Sequence, residues 1–263
     1  MSKYIFFDID GTLINCKNNI YSIPKTTRES MDKLKEKGHH VFLATGRCKC
    51  FITPGVFDYP FSGYITCNGG AVEYNNKKIS KDIISSEAIK ATIDLSEQLD
   101  MDYYFENDNY IYIRDKKDPK HVAFANEWGM KDDTLIDEFN PDEIETYIGM
   151  IVVKHLEDIP IMEDKLSKYF DVQRHQSDYS FDLTLKGVSK GSAILTMTDK
   201  LNISIKDTIA FGDGRNDIEM IQTVGMGVAM GNAVSELKNE TNYITKSVDE
   251  DGITQYLKKI NLI

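Results

Sequence analysis

The chain has 263 residues, 41% of them hydrophobic and 28% charged, the profile of a soluble globular protein long enough for two domains. A net charge of −11, with no long Lys/Arg run, argues against a nucleic-acid partner. No window approaches the roughly 18 uninterrupted apolar residues of a membrane span. The opening "MSKYIFFDID" meets an acid after four apolar residues, so a cytoplasmic protein without a leader is expected. Cys16, Cys48, Cys50 and Cys67 lack the paired Cys-x-x-Cys spacing of a zinc site and read as free thiols.

Taken in chain order, residues 4–8 read as a buried strand and 26–38 as an amphipathic helix, with Met31 and Leu34 inward and Gly38 as its stop. Strands follow at 41–45 and 64–67, then a hairpin in "AVEYNNKKIS" turning at Asn75-Asn76. From about 83 to 184 the pattern changes to strand pairs. "DYYFEN" and "NYIYIRD" flank Asp108-Asn109, and "YIGMIVV", "DVQRH" and "SFDLTL" follow. Helical stretches lie at 85–99, 118–128 and 157–168. The last third alternates again: helix 190–200, strand 208–212, helix 215–223, strand 226–230, helix 234–240, strand 243–245 and helix 250–260. Short apolar strands separated by helices predict a parallel sheet covered on both faces. The middle reads as an α+β unit inserted into that α/β unit.

Chemistry concentrates at strand ends, where open parallel sheets bind ligands. Asp8 and Asp10 follow the first apolar run at i, i+2 spacing, which on a strand aims both to one side and Ile9 to the other. Gly11 lets the backbone turn, and Thr12 can bond back to it. Two such carboxylates coexist if a cation lies between them or one keeps a proton; otherwise they are a turn facing water. A second cluster, Asp213, Asn216 and Asp217, follows the strand ending at Gly212. Oxygen ligands from two strand ends suit Mg²⁺, while capping the next helix is the plainer role for Asp213. Thr45, Gly46 and Arg47 supply a hydroxyl, a backbone N–H and a guanidinium, the parts of a phosphate site. Lys190 opens a helix, where a cation is unfavourable unless an anion or carboxylate faces it. Tyr103, Phe105, Tyr110 and Tyr112 alternate as one face of a sheet would, stacking on a substrate ring being the other reading. "GMGVAMG" (225–231) fails as a dinucleotide fingerprint, because Met230 stands where glycine is needed.

In order, Asp8-Ile9-Asp10-Gly11-Thr12, Thr45-Gly46-Arg47, Lys190 and Gly212-Asp213-Gly214-Arg215-Asn216-Asp217 resemble the four motifs of the haloacid dehalogenase superfamily. "TCNGGAV" (66–72), "GVAMGNAVSELKNETNYIT" (227–245) and "DEDGI" (249–253) resemble its Cof-type branch with a IIB cap (type C2B). Gly70 departs from the alanine frequent there. The resemblance implies a doubly wound, Rossmann-like α/β core from residues 1–82 and 185–263, with an inserted α+β cap at 83–184 that sets specificity.

It further implies a Mg²⁺-dependent phosphatase acting on small phosphate esters. Asp8 would be the nucleophile and Asp10 the general acid and then base. The metal would be held by Asp8, the Asp10 carbonyl and Asp213, with Asp217 holding its waters or Lys190. Thr45, Gly46, Asn216 and Lys190 would bind the phosphoryl oxygens. Arg47 and Asn68 would face the substrate, although Asn68 could equally cap its own turn. A hexose phosphate is the first substrate expected, then flavin mononucleotide or pyridoxal phosphate. The rivals are a phosphotransferase or mutase with the same aspartyl phosphate, and a non-catalytic module that binds metal and phospholigand. A response-regulator receiver is disfavoured by the chain's length and insertion.

Overall fold

Tyr-Ile-Phe-Phe forms β1 (Tyr4–Phe7), and its last three residues are buried. A strand apolar on both faces belongs in the middle of a covered parallel sheet, and the computed structural model places it there. The structure describes residues 2–127, 133–175 and 179–263, which divide into two units. The first comprises the chain up to Gly46, Ile52–Ser80 and Ser189–Ile263; the second comprises Arg47–Phe51 and Lys81–Val188.

After β1 come α1 (Lys25–Glu36), β2 (His40–Ala44), α2 (Pro54–Phe57), β3 (Gly63–Thr66), β4 (Ala71–Tyr74) and β5 (Lys77–Lys81). The helix expected at 26–38 is α1. It buries Met31 and Leu34 and ends before Gly38, whose φ of +81° suits glycine past a helix end. Asn75 and Asn76 join β4 to β5 with φ of 47° and 60°. Both central residues of a type I′ hairpin turn must be left-handed, and asparagine tolerates that best among the larger residues.

The second unit contributes α3 (Ser86–Gln98), β6 (Asp102–Glu106), β7 (Ile111–Ile113), α4 (Pro119–Glu127), β8 (Leu135–Ile136), β9 (Ile148–Val152), α5 (Ile159–Leu166), β10 (Phe170–Arg174) and β11 (Ser180–Leu185). Among the described residues its sheet runs β10-β11-β9-β6-β7-β8. The pair expected around Asp108-Asn109 is the antiparallel β6–β7, with Tyr104 opposite Ile113. The expected helix 118–128 corresponds to α4, residue 128 lying outside the described residues. β8 is too short to show in a sequence pattern. Tyr103, Phe105 and Tyr112 pack with Ile151, Phe181 and Leu183 in this unit's core. Tyr110 instead precedes β7 and is exposed, so the alternation stops short of it.

The chain then adds α6 (Lys190–Lys200), β12 (Thr208–Gly212), α7 (Ile218–Thr223), β13 (Met226–Ala229), α8 (Ser235–Asn239), β14 (Tyr243–Ile244) and α9 (Gly252–Lys259). The stretch expected as helix 215–223 opens with a 3-10 turn at Arg215–Asp217, and that expected at 250–260 is broken by Asp251 at φ 61°. Among the described residues the first unit's sheet runs β14-β13-β12-β1-β2-β3-β4-β5. β1 pairs parallel with β2 and β12, and the order reverses there, as in doubly wound sheets. Ile5, Phe7, Leu43, Phe211 and Val228 stand in its buried core. The fold class is α/β, with a mixed α+β unit inserted. Among the described residues no helix is long and apolar enough to cross a membrane.

Candidate active site

Strand register brings three chain segments to one edge. Phe7 sits opposite Leu43 of β2 and Phe211 of β12, so residues 8, 44 and 212 are level. Asp8, Thr45 and Asp213 therefore leave adjacent strands at the carboxyl edge, where the ladders end and backbone groups turn toward ligand.

Carboxylate oxygens of Asp8, Asp213 and Asp217 all lie within 4.8 Å of one another. The Lys190 ammonium sits 2.6 Å from Asp8 Oδ1 and 2.6 Å from Asp217 Oδ1, and no part of its side chain reaches solvent. Lys190 is the first residue of α6. Ser189 caps that helix by accepting from the Ser192 N–H, which orients the first turn. Close packing fixes the helix in place. A Cβ on Gly69 would stand 2.2 Å from the Ser189 carbonyl oxygen, and one on Gly191 2.8 Å from the Glu219 carbonyl oxygen.

Asp217 does two jobs with its two oxygens. Oδ1 meets Lys190, and Oδ2 accepts the backbone N–H of both Asp213 and Gly214 at 2.9 Å. The carboxylate that satisfies this helix start is thus Asp217 reaching back, not Asp213, and the Asp213 side chain is left to face Asp8. Gly11, at φ +79°, closes over it: a Cβ there would lie 2.0 Å from Asp213 Oδ2. Asn232 ties the two loops together, donating its amide to the Gly11 carbonyl at 2.8 Å and to Asp213 Oδ2 at 3.2 Å. The sequence reading assigned Asn232 no role. Its position two residues beyond Met230, after strand β13, was the available signal.

Burial, reinforced by the charge of Asp217, pushes Asp8 up to about 7 despite Lys190. Burial, with the charges of Asp8 and Asp217, pushes Asp213 up to about 8. Burial works against the Lys190 ammonium, but the charges of Asp217 and Asp8 hold it above the ordinary lysine range. Among the described residues, one ammonium is bonded to this cluster of three close carboxylates, which leaves a deficit of positive charge. An all-oxygen donor set with that deficit fits a hard divalent cation, and Asp8 and Asp213 are the two carboxylates that such an ion would deprotonate.

Asp8 is buried and Asp10 exposed. β1 ends at Phe7, so strand alternation does not set the direction of Asp10; the chain turns through Ile9, whose carbonyl accepts the N–H groups of Thr12, Leu13 and Ile14. The Asp10 charge still contributes to raising Asp8. The Thr12 hydroxyl, expected to bond back to the turn, is buried with no partner among the described residues.

A second group gathers around Gly46. The Asn68 N–H donates to the Thr45 carbonyl at 3.1 Å, and Asn68 Oδ1 accepts from Asn216 Nδ2 at 3.0 Å. A Cβ on Gly46 would stand 2.9 Å from Asn68 Oδ1. Thr45, Gly46, Asn68 and Asn216 are therefore neighbours. Asn68 adopts φ 51°, and its carboxamide reaches across to Asn216. Arg47 belongs to the second unit. Its guanidinium donates to the Phe51 carbonyl at 3.2 Å and lies 5.1 Å from the centre of the Phe51 ring.

Comparison with known proteins identifies the family of the chain. The haloacid dehalogenase-like hydrolase family profile matches residues 5–257. A Bacillus subtilis protein named "Putative phosphatase YkrA" is 34% identical over 100% of this chain and 99% of its own. The same organism's 5-amino-6-(5-phospho-D-ribitylamino)uracil phosphatase YcsE is 26% identical over 97% and 94%. Among solved structures, the HAD subclass IIB sugar phosphatase BT4131 superposes with a TM-score of 0.86 at 27% identity, covering 100% of both chains. A hypothetical protein from Geobacillus kaustophilus gives a TM-score of 0.86 at 30% identity, with the same coverage. The chain belongs to the haloacid dehalogenase-like hydrolases. It is a phosphatase of that family, acting on small phosphate esters.

Proposed function

We propose that this enzyme is a Mg²⁺-dependent phosphatase that hydrolyses sugar or polyol phosphates through an aspartyl phosphate on Asp8. The observation that carries the reading is the Asp8–Asp213–Asp217 cluster, three carboxylates within 4.8 Å of one another around a single buried ammonium. Such a cluster costs stability unless a positive charge compensates it, and a cation that assists attack on a phosphate dianion would supply that charge.

Asp8 and Asp213, with the Asp10 carbonyl, would hold Mg²⁺, which when bound supplies the positive charge that lets one anion approach another. A carboxylate oxygen of Asp8 attacks phosphorus. Lys190, which donates to Asp8 Oδ1, keeps the Asp8 carboxylate oriented, and Asp217 keeps Lys190 in place. Asp10 donates a proton to the leaving oxygen and then takes one from the water that releases phosphate. Thr45, the Gly46 N–H, Asn216 and Lys190 hold the phosphoryl oxygens as charge shifts among them. Asn68 orients the Asn216 amide. Domain boundaries at 82/83 and 184/185 remain part of this proposal, with the inserted unit selecting the leaving group.

A sugar phosphate, a hexose phosphate first, is the reading supported by the likeness to BT4131, which is named a sugar phosphatase. A phosphoribityl compound is the second reading, carried by the name of YcsE; flavin mononucleotide ends in the same phosphoribityl group. The test is turnover of p-nitrophenyl phosphate by EDTA-treated protein with and without added Mg²⁺, followed by a panel of hexose, pentitol and flavin phosphates. Full activity without divalent metal would overturn the mechanism. A panel in which neither sugar nor polyol phosphates exceed p-nitrophenyl phosphate in kcat/KM would overturn the substrate class.

A further inference from the structure

Cys48 and Cys50 lie outside the chemistry described so far, yet their sulfurs are 3.2 Å apart. That is closer than unbonded packing requires, and the intervening residue is in a tight turn: the Phe51 N–H closes on the Cys48 carbonyl at 3.0 Å. The two thiols are not equivalent. Cys48 is fully buried, whereas Cys50 is partly exposed. Cys50 Sγ also lies 3.6 Å from the Asn107 carbonyl. Cys48 offers both its thiol and its backbone N–H to the Glu106 carboxyl, which burial pushes up to about 7. A carboxyl of that basicity accepts a proton readily near neutrality.

We propose that Cys48, Cys50 and Glu106 form a reversible thiol-oxidation site that responds to hydroperoxides and slows turnover when oxidised. The accessible Cys50 thiol attacks the peroxide O–O bond, giving a sulfenic acid and releasing the alcohol, or water from hydrogen peroxide. Cys48 sulfur then attacks the Cys50 sulfur. The S–S bond forms, the S–OH bond breaks, and the Cys48 proton passes through Glu106 to the departing hydroxide as water. Two thiols lose two electrons in total, and one peroxide gains them. Bonding draws the sulfurs from 3.2 Å to about 2.05 Å. A disulfide closed across one residue is strained, hence easily reduced, which marks regulatory rather than structural disulfides. The chain reaches Cys48 two residues after Gly46, so the contraction pulls on the phosphate-binding segment. Displacements near 1 Å in such groups cost up to about a hundredfold in rate.

The turnover arm rests on the phosphatase reading; the chemical arm does not. Reduced full-length protein is treated with a small excess of hydrogen peroxide, then digested with chymotrypsin without reduction. A peptide containing Cys48 and Cys50 that is two hydrogens lighter, with Cys16 and Cys67 still thiols, is the expected result. Cys48→Ser should instead leave a dimedone-reactive sulfenic acid on Cys50, and Glu106→Gln should slow the second step while leaving the first unchanged. Hydrolysis of p-nitrophenyl phosphate should fall about tenfold or more on oxidation, return with dithiothreitol, and be insensitive to peroxide in Cys48→Ser/Cys50→Ser. Oxidation confined to Cys16 or Cys67, or a disulfide that leaves the turnover of an active protein unchanged, would overturn the proposal. Protein inactive even when reduced would count against the phosphatase reading, while the peptide map would still decide the thiol chemistry.

Discussion

Lys190 Nζ donates to Asp8 Oδ1 and to Asp217 Oδ1, each at 2.6 Å, so one buried cation joins the first strand end to the helix start that follows β12. Removing it leaves three close carboxylates facing each other, those of Asp8 and Asp217 buried and that of Asp213 half-buried. Lys190→Met keeps the volume but not the charge. Breaking a buried pair in this way costs about 3–5 kcal/mol, and turnover should be lost. The loss of stability, read by urea unfolding, should shrink toward pH 5, where the raised Asp8 and Asp213 are protonated and no longer need the ammonium. A pH-independent loss would mean that Lys190 acts by packing alone.

The same carboxyls set a pH dependence for the metal-free protein. Asp8 moves from 3.8 to about 7 and Asp213 from 3.8 to about 8 on folding. Both values are raised, so the folded state binds these protons more tightly than the unfolded chain. Their contribution to stability is complete below about pH 4 and is lost as pH rises through 7 to 8. Melting temperatures in EDTA should fall across that window. Added Mg²⁺ should flatten the decline and release protons on binding, seen as buffer-dependent heats in titration calorimetry. A metal-free melting temperature that stays level from pH 5 to 8.5 would contradict the electrostatic account of the cluster.

Asp8 and Asp10 should separate by leaving group. Asp8→Asn should reduce turnover by a factor on the order of a thousand or more, with circular dichroism and melting little changed, since the amide keeps the shape. Asp10→Asn should cost on the order of a hundredfold for an alkyl phosphate and much less for p-nitrophenyl phosphate, whose leaving group needs no proton. Equal losses on both substrates would remove Asp10 from the role of acid.

Much of this was legible in the sequence because strand ends carry their own punctuation. Apolar runs ending in Asp8, Thr45 and Asp213 could be placed at one sheet edge from the parallel pattern alone. The Lys190 position, adverse for a helix start, implied a negative partner before any contact was visible. What the sequence hid was tertiary. Asp10 lies past the end of β1, where alternation no longer applies. Asn232 acts through loops that meet only after β1, β12 and β13 are aligned. The Asn68–Asn216 pair is 148 residues apart, and the segment at 47–51 groups with residues far along the chain, which no local pattern encodes.

Gly11 gives the most local test of the cluster. Its φ of +79° is strained for any residue with a side chain. A Cβ added there would fall 2.0 Å from Asp213 Oδ2 and 2.4 Å from Cγ, inside any permitted contact. Gly11→Ala must therefore move either the turn or the Asp213 carboxylate, and the turn is held by the Gly11 N–H bond to the Ile14 carbonyl at 2.8 Å. The expected outcome is a loss of Mg²⁺ affinity of about tenfold or more, larger than the effect on the melting temperature in EDTA, because relief of crowding among the carboxylates offsets part of the strain. Asn232→Ala, which removes the bridge without crowding the site, should weaken Mg²⁺ less and leave the fold intact. If Gly11→Ala bound Mg²⁺ as tightly as the parent protein, the carboxylate at 213 could not be among the ligands.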